Sequence, residues 1–215
     1  MAEEKITRSC VDCGVCNCIN QDSRYPDFCL TTGLEPDARQ LALDRLNEEE
    51  NHKVMLSAAM TEYEGYGRLT RVEEIVCFAH KMGYKKLGIA TCAGLISEAR
   101  ILARILRLNG FEVYGAACKV GAVPKVDLGI PKECEAVGRT ICDPVLQAEL
   151  LNRAGTELNL VCGLCVGHDS LFYKYSEALC TSVITKDRVL GHNPAAALYQ
   201  TGSYYARLLK EPIKL

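Results

Sequence analysis

The stretch that decides the fold is Lys86–Cys118, which reads KLGIATCAGLISEARILARILRLNGFEVYGAAC. It opens with a short, mainly apolar run over Lys86–Thr91, a pattern typical of a buried strand. A helical pattern then runs through Ile96–Leu108 and is closed by an Asn-Gly pair, and a second strand is predicted at Phe111–Ala117. Strands that alternate with helices in this way indicate parallel pairing, with helices covering the sheet.

The same alternation continues toward the end of the chain. Asp143 and Pro144 provide an acidic N-cap and a first-turn proline, and so they predict the start of a helix. Leu158–Cys162 is predicted as a third strand and Ser182–Thr185 as a fourth. We therefore predict an α/β fold: a mainly parallel, Rossmann-like sheet with helices on both faces, preceded by helices and by a short cysteine-rich segment.

The composition excludes several classes of partner. The chain has 215 residues, 48% of them hydrophobic and 24% charged, as is ordinary for a protein that buries a core. Its formal net charge is −2, so we expect no binding to nucleic acid or to anionic membranes. No apolar run approaches the roughly 18 residues of a membrane-spanning helix. The first ten residues, MAEEKITRSC, lack the apolar core of a signal peptide, which favours a cytoplasmic location.

Thirteen cysteines are the unusual feature of this composition. An odd number excludes complete disulfide pairing, and in a reducing compartment the thiols are expected to stay reduced. We interpret many of them as metal ligands and the rest as small buried apolar residues. Sulfur-rich sites select zinc or iron–sulfur clusters, and only four histidines are present to contribute nitrogen ligands.

The first group of cysteines lies in residues 1–34, which we predict as a metal-binding segment ahead of a helical lead-in and α/β domain at residues 35–215. This segment has little apolar periodicity besides its cysteines, so it needs a metal to hold it together. The cysteines predicted to form a closed tetrahedral site, for zinc or for a second cluster, are Cys10, Cys13, Cys18 and Cys29. Cys16 is then a spare thiol or an alternative ligand.

A second group of cysteines follows the predicted strands. Cys92 and Cys118 come directly after the first two strands, Cys165 lies three residues after the third, and Cys142 immediately precedes a helix start. Ligands of an open α/β sheet bind beyond the carboxyl ends of its strands, so these four thiols are expected to converge on one edge. Glycines around them leave room for a bulky ligand, which favours an iron–sulfur cluster, expected to be 4Fe–4S, over zinc. Cys134 is a candidate to replace or to supplement Cys142.

Four nitrogen-bearing side chains are predicted near the same edge. His168 opens a helix, Lys186 and Arg188 follow the fourth strand, and His192 precedes the last helix. They are candidate contacts for a small anionic or sulfur-containing ligand, and they are candidates for balancing the charge of a cluster. Ordinary solvated loops are the simpler alternative. The sequence has neither a phosphate loop of the GxxxxGK type nor a GxGxxG motif after a strand.

Four stretches of the sequence resemble a known family. They are Cys10–Cys18 (CVDCGVCNC), Thr91–Glu98 (TCAGLISE), Cys162–Ser170 (CGLCVGHDS) and Lys186–Pro194 (KDRVLGHNP). Together they are similar to uncharacterised, predicted metal-binding proteins of archaea and anaerobic bacteria that carry a domain of unknown function. The resemblance implies cysteine-bound metal, a cytoplasmic setting and oxygen-sensitive iron–sulfur chemistry, with no catalytic activity attached. The family pattern CxxCxxxxC supports Cys10, Cys13 and Cys18 as ligands over Cys16.

Three functions stay open at the level of the sequence. The first is an iron–sulfur protein: an electron carrier with a redox partner if four edge cysteines bind, or an enzyme with an open iron if three do. The second is a non-enzymatic zinc protein with a structural, interaction or metal-handling role. The third is a dithiol redox protein that uses Cys162 and Cys165, although Cys162 is also expected to point into the sheet. The sequence decides neither enzymatic activity nor oligomeric state.

Overall fold

The structure, a computed structural model, describes residues 7–21 and 24–213. The chain divides into two compact units, Met1–Leu56 and Ser57–Leu215, whereas the boundary that the sequence places after residue 34 stays a prediction. The helices are α1 Pro36–Leu46, α2 Glu49–Gly65, α3 Arg71–Met82, α4 Ile96–Leu108, α5 Pro144–Arg153, α6 His168–Tyr175 and α7 Ala195–Tyr199. The strands are β1 Lys86–Thr91, β2 Glu112–Ala117, β3 Leu158–Cys162 and β4 Leu179–Ile184.

The four strands form one parallel sheet in the order β2-β1-β3-β4. The central strand β1 pairs with both neighbours, so that Leu87 lies opposite Val113 on one side and Leu158 on the other. This arrangement confirms the predicted α/β fold. The strand β4 begins at Leu179, three residues before the predicted start at Ser182. The sequence pattern misses these residues because an edge strand is partly exposed and shows no continuous apolar run.

Helices cover both faces of the sheet, as predicted. Because side chains alternate along a strand, Leu87 and Ile89 of β1 face one layer and Ala90 faces the other. The layer of α3 and α4 packs its apolar stripe on the first face; this core includes Ile75, Ala79, Leu102, Leu106 and Leu160. The layer of α5 and α6 packs on the second face; this core includes Ala148, Leu151, Val161, Leu164 and Phe172. No helix in the described part of the chain combines the length and apolar character that crossing a membrane requires.

The first unit contains α1 and the start of α2, but it buries very few of its described residues. It has one turn of 3-10 helix at Cys10–Asp12, ahead of the helix α1. Backbone hydrogen bonds close tight turns from Cys13 N–H to the Cys10 carbonyl (3.2 Å) and from Cys29 N–H to the Pro26 carbonyl (3.0 Å). Among the described residues of this unit, Asn17 is the one that is buried. A segment with so little burial needs another source of stability, such as a bound metal.

Gly163, the residue that follows β3, is required by the packing at the end of the sheet. Its backbone lies in the left-handed region at φ +68°, and a Cβ atom built on it overlaps the Leu95 side chain. We expect Gly163→Ala to lower the free energy of unfolding by about 2–4 kcal/mol. Roughly 1 kcal/mol comes from the left-handed backbone and the remainder from the clash in the core. Urea unfolding followed by circular dichroism measures the change.

The matched control for this substitution is Gly155→Ala. Gly155 also has a left-handed backbone, at φ +65°, but nothing lies within 4 Å of a Cβ atom built there. This control is therefore expected to cost only the backbone contribution, about 1 kcal/mol. Equal losses of stability in the two variants contradict the proposed packing role of Gly163.

Candidate functional site

Cysteines extend the sheet beyond the carboxyl ends of its strands. The N–H of Cys118 donates to the last carbonyl of β1 at 2.8 Å, and the N–H of Cys92 donates to the last carbonyl of β3 at 3.1 Å. The N–H of Asp143 donates to the Cys118 carbonyl at 2.8 Å, which brings the preceding residue, Cys142, to the same edge. Sheet pairing thus places three of the four predicted ligands at neighbouring positions.

Cys118 lies among these thiols and is buried. Its Sγ atom accepts a hydrogen bond from the N–H of Ala93 at 3.3 Å. Burial raises the pKa of the Cys118 thiol to about 12; the Ala93 N–H opposes this rise, and the neighbouring charges of Cys142 and Cys92 add to it. In the metal-free chain Cys118 is therefore a protonated thiol that lies beside two other sulfur atoms.

The Cys92 thiol loses its proton more readily than the Cys118 thiol, because its pKa is lowered. Burial acts to raise its pKa, but the N–H of Gly94, the ammonium of Lys186 and the thiol of Cys118 outweigh burial and lower the pKa. A Cβ atom built on Gly94 stands 3.8 Å from Cys92 Sγ and 3.8 Å from Lys186 Nζ. The glycine therefore leaves a space between the sulfur and the cation that any side chain would begin to fill.

Cys165, the fourth predicted ligand, is joined to the site through Arg188. The Arg188 Nη2 atom donates to Cys165 Sγ at 3.0 Å. This hydrogen bond and the negative charge of Cys165 raise the pKa of Arg188, and the charges of Cys92 and Cys142 also raise it. Three of the four cysteines thus act electrostatically on Arg188. The structure brings all four cysteines to the carboxyl edge of the sheet, and we call them the edge thiols (Cys92, Cys118, Cys142 and Cys165).

The two predicted histidines occupy different places around this edge. His168 is the first residue of α6; its N–H donates to the Cys165 carbonyl at 2.9 Å, and its Nδ1 atom is buried without a hydrogen-bond partner among the described residues. His192 lies beyond the end of β4. It lines a cavity of about 480 Å³ together with Glu98, Thr185 and several apolar residues. The structure shows no contact between either imidazole and a sulfur atom in the described part of the chain.

Gln147 is a residue of this site that the sequence analysis did not identify. It is fully buried in the first turns of α5, and its Nε2 atom donates to the carbonyl of Thr91 at 3.1 Å and to that of Ala116 at 2.7 Å. Thr91 ends β1 and directly precedes Cys92. Ala116 is the next-to-last residue of β2 and lies two residues before Cys118. Its Oε1 atom has no hydrogen-bond partner among the described residues. The one sequence signal for Gln147 is that its amide side chain stands between apolar residues in a predicted helix.

The other cysteines of the second unit lie outside the edge thiols. Cys162 is fully buried in the core beneath α3 and α4, and burial raises its pKa. Cys180 packs against the core beneath α5 and α6, whereas Cys134 is exposed in a short 3-10 helix. Cys77 is half-buried in α3. Cys162 and Cys165 therefore have different surroundings despite their CxxC spacing.

The N-terminal cysteines surround one small cavity of about 90 Å³. The thiols that line it are Cys10, Cys13, Cys16, Cys18 and Cys29. The pKa of Cys29 is lowered, chiefly because the N–H of Thr32 donates to its sulfur, with further hydrogen bonds from Thr31. Cys16, predicted as a spare thiol, lines the same cavity with its backbone in the left-handed region at φ +50°. The cavity thus gathers the four predicted ligands and a fifth thiol.

The cysteines approach one another without closing around a single point. Within residues 7–21 and 24–213, no group of three or more His, Cys, Asp or Glu side chains is arranged closely enough to hold a metal ion. Contacts at the sheet edge are pairwise: Cys118 interacts with Cys142 and with Cys92, and Cys165 interacts with Arg188. All thirteen cysteines are free thiols. Cysteine sulfur atoms are therefore grouped at the sheet edge and in the N-terminal cavity, and a bound metal at either place is a proposal.

Comparison with known proteins identifies a family. The family model DUF1847, described as a protein of unknown function, matches residues 29–183. A protein of Methanocaldococcus jannaschii that is described as uncharacterised is 46% identical over 175 residues, which cover 81% of this chain and 89% of that relative. These matches confirm the resemblance to an uncharacterised family, and neither description names a metal. The matched region contains the four edge thiols, whereas Lys186, Arg188 and His192 lie beyond it.

Cys92 and Cys118 are expected to react at different rates when the chain is reduced and metal-free. The pKa of Cys92 is lowered and that of Cys118 is about 12. At pH 8, iodoacetamide should therefore alkylate Cys92 about tenfold faster or more, because the thiolate is the reactive form. Mass spectrometry of peptides from a time course measures both rates.

The control for this reactivity is Lys186→Gln. Removal of the cation beside Cys92 should slow the alkylation of Cys92 and leave the exposed Cys134 unchanged. Equal rates for Cys92 and Cys118 in the unsubstituted protein contradict the environments described for these two thiols.

Proposed function

The chain belongs to the DUF1847 family, and we propose that it is a metal-binding protein that holds an iron–sulfur cluster of the 4Fe–4S type at the carboxyl edge of its sheet. The edge thiols are the ligands of this cluster. A second metal, zinc or a further cluster, binds in the N-terminal cavity through Cys10, Cys13, Cys18 and Cys29. The observation that carries the proposal is the convergence of four cysteines, from the connections after β1, β2 and β3, on one edge beside Arg188.

The donor set at the sheet edge fits such a cluster. Thiolate sulfur is the ligand that binds iron in clusters of this kind. The N–H groups of Ala93 and Gly94 already donate to the sulfur atoms of Cys118 and Cys92. Hydrogen bonds of this kind orient and tune metal-bound thiolates. The absence of a side chain at Gly94 supplies space beside the Cys92 sulfur that a bulky group needs.

The charges at the sheet edge also support bound metal. Lys186 lies beside Cys92, and Arg188 donates to Cys165. Neither cation forms a salt bridge to a carboxylate among the residues that the structure describes; the ion pairs there involve Lys81, Lys86 and Arg153. Four thiolates around a metal centre carry negative charge, which the half-buried Lys186 and the exposed Arg188 would stabilise. Four neutral thiols would carry no negative charge with which these cations could interact.

Four cysteine ligands favour a role in electron transfer to a redox partner. When bound, a cluster of this type supplies a one-electron redox couple. The chain itself contributes the thiols that hold it, the N–H donors to sulfur and the apolar layer beneath α5 and α6 that limits access of water. Thirteen unpaired cysteines are consistent with a reducing compartment such as the cytoplasm.

A role in binding a small anionic or sulfur-containing ligand is the second candidate. It is favoured by the cavity of about 480 Å³ beyond β4, which His192 and Thr185 line. If three of the edge thiols bind the cluster, one iron is open to such a ligand. Lys186, Arg188 and His168 are then additional candidate contacts at the same edge.

Zinc is the simpler occupant of the N-terminal cavity. The cavity of about 90 Å³ is small. Five thiols line it, one more than the four ligands that a closed, structural zinc site takes. Metal binding contributes folding free energy to a segment that lacks a core of its own. A non-enzymatic protein with zinc at both sites is the alternative to the iron–sulfur proposal.

Anaerobic purification of the full chain should yield brown protein. We expect about four iron and four sulfide per chain from the edge site, together with about one zinc. Cys92→Ser and Cys165→Ser should each lose the iron and sulfide while they keep the far-ultraviolet circular dichroism of the unsubstituted protein. Iron, zinc and acid-labile sulfide assays with an absorption spectrum measure these contents.

Cys77→Ser is the matched control for these serine variants. Cys77 lies in α3, outside both groups of thiols, so its substitution should leave the metal and sulfide contents unchanged. Full iron and sulfide in Cys92→Ser contradicts its assignment as a ligand. A colourless protein that contains zinc and no iron contradicts the iron–sulfur proposal and supports a structural zinc protein.

Cys10→Ser is expected to act on the N-terminal segment alone. Loss of one ligand should release the zinc of that segment and expose residues 1–34 to proteolysis, because metal binding stabilises a segment with little burial. The iron and sulfide at the sheet edge should stay at the level of the unsubstituted protein. Limited trypsin digestion followed by mass spectrometry maps the cleavage sites. Unchanged zinc content and an unchanged digestion pattern contradict a metal site in this segment.

A further inference from the structure

The loop that follows β4 brings two cations to the edge thiols. Arg188 Nη2 donates to Cys165 Sγ at 3.0 Å. Lys186 Nζ and Cys92 Sγ both lie within 3.8 Å of the position that a Cβ atom on Gly94 would take. The two cations are separated in the chain by a single residue, Asp187. One short loop therefore brings one cation into contact with Cys165 and a second cation near Cys92, where it lowers the pKa of that thiol.

The charges of these two cations are not compensated by salt bridges among the described residues. No carboxylate among the described residues forms a salt bridge with Lys186 or Arg188. The carboxylate of Asp187 lies between them in sequence, but its Oδ1 atom accepts the N–H groups of Val189 at 2.9 Å and Leu190 at 2.8 Å. Asp187 is thus engaged by its own loop and forms no salt bridge with either neighbour.

The loop is closed by reciprocal hydrogen bonds between Asp187 and His192. The N–H of His192 donates to the Asp187 carbonyl at 2.8 Å, and the N–H of Asp187 donates to His192 Nδ1 at 3.1 Å. The His192 backbone lies in the left-handed region at φ +67°, beside Gly191 at φ +59°. A residue with a Cβ atom is disfavoured there, and the contact to Asp187 compensates. The side chain of His192 therefore has a definite part in fixing the loop.

We propose that Lys186 and Arg188 raise the reduction potential of the cluster held by the edge thiols, and that Asp187 and His192 are positioning residues that hold the two cations against the sulfur atoms. The inference rests on the proposed function. Reduction adds one electron, and hence one negative charge, to the site, with no bond formed or broken. A cation close to a sulfur ligand stabilises this added charge more than it stabilises the oxidised state, so the potential rises.

The test is a redox titration of the anaerobically purified full chain. Dithionite is the one-electron donor, mediator dyes set the potential, and visible absorption and electron paramagnetic resonance report reduction. Arg188→Gln and Lys186→Gln should each shift the midpoint potential to more negative values and alter the resonance spectrum of the reduced cluster. Iron and sulfide content are measured on every sample, so that only loaded protein is compared.

Arg153→Gln is the control for a change in net charge. Arg153 lies at the far end of α5, near the start of β3 and thus at the opposite edge of the sheet, where it pairs with Glu149. This variant loses the same unit of charge and should titrate like the unsubstituted protein. A shift equal to that of Arg188→Gln would show that overall charge, and not contact with sulfur, sets the potential.

Substitutions at His192 test its positioning role. His192→Ala removes the acceptor for the Asp187 N–H and should shift the potential in the same direction as Arg188→Gln. His192→Asn should restore the potential of the unsubstituted protein, because the amide Oδ1 can accept the same hydrogen bond and asparagine tolerates the left-handed region. A merely structural role for His192 would change stability without this pattern of loss and rescue.

The outcomes separate this inference from the proposed function. Unsubstituted protein that contains no iron overturns the proposed function and this inference with it. Iron-loaded Arg188→Gln, Lys186→Gln and His192→Ala proteins that titrate like the unsubstituted protein overturn the inference alone. If Arg188→Gln fails to load with iron, Lys186→Gln and His192→Ala decide the result in the same way.

Discussion

The Thr91 carbonyl at the end of β1 is the acceptor on which the candidate site depends. It receives the N–H of Cys118 at 2.8 Å and Nε2 of Gln147 at 3.1 Å. The first hydrogen bond carries the register of β1 and β2 one residue beyond the strands, and the second anchors α5, which begins just after Cys142. Backbone pairing of a parallel sheet, rather than attraction between thiols, therefore places cysteines that are distant in sequence at one edge.

The sulfur atoms at this edge differ because their neighbours differ. Cys118 is buried between other thiols and keeps its proton, whereas Cys92 and Cys165 lie beside Lys186 and Arg188. The same sheet edge thus combines a soft donor set with fixed positive charge. Positive charge beside these sulfur atoms supports the proposed metal centre, because thiolate-bound metal carries negative charge. In the N-terminal cavity, the metal that we propose would stabilise a segment with little burial.

The sequence predicts most of the scaffold and only part of the site. The central strands β1 and β3 are predicted well, because strands buried on both faces are continuously apolar, whereas the edge strand β4 gives a weaker pattern. The positions of Cys92 and Cys118 follow from strand ends alone, so topology is enough to place them. The role of Gln147 does not follow, since a buried amide in a helix has no sequence signature. The clamp between Asp187 and His192 depends on loop geometry that local pattern does not specify.

The most direct test of this account is a crystal structure of the anaerobically purified protein with anomalous data at the iron absorption edge. We expect a strong iron peak at the carboxyl edge of the sheet, within bonding distance of the sulfur atoms of Cys92, Cys118, Cys142 and Cys165. A structure of iron-loaded protein with no peak at this edge, or with its iron in the N-terminal cavity alone, would contradict the central claim.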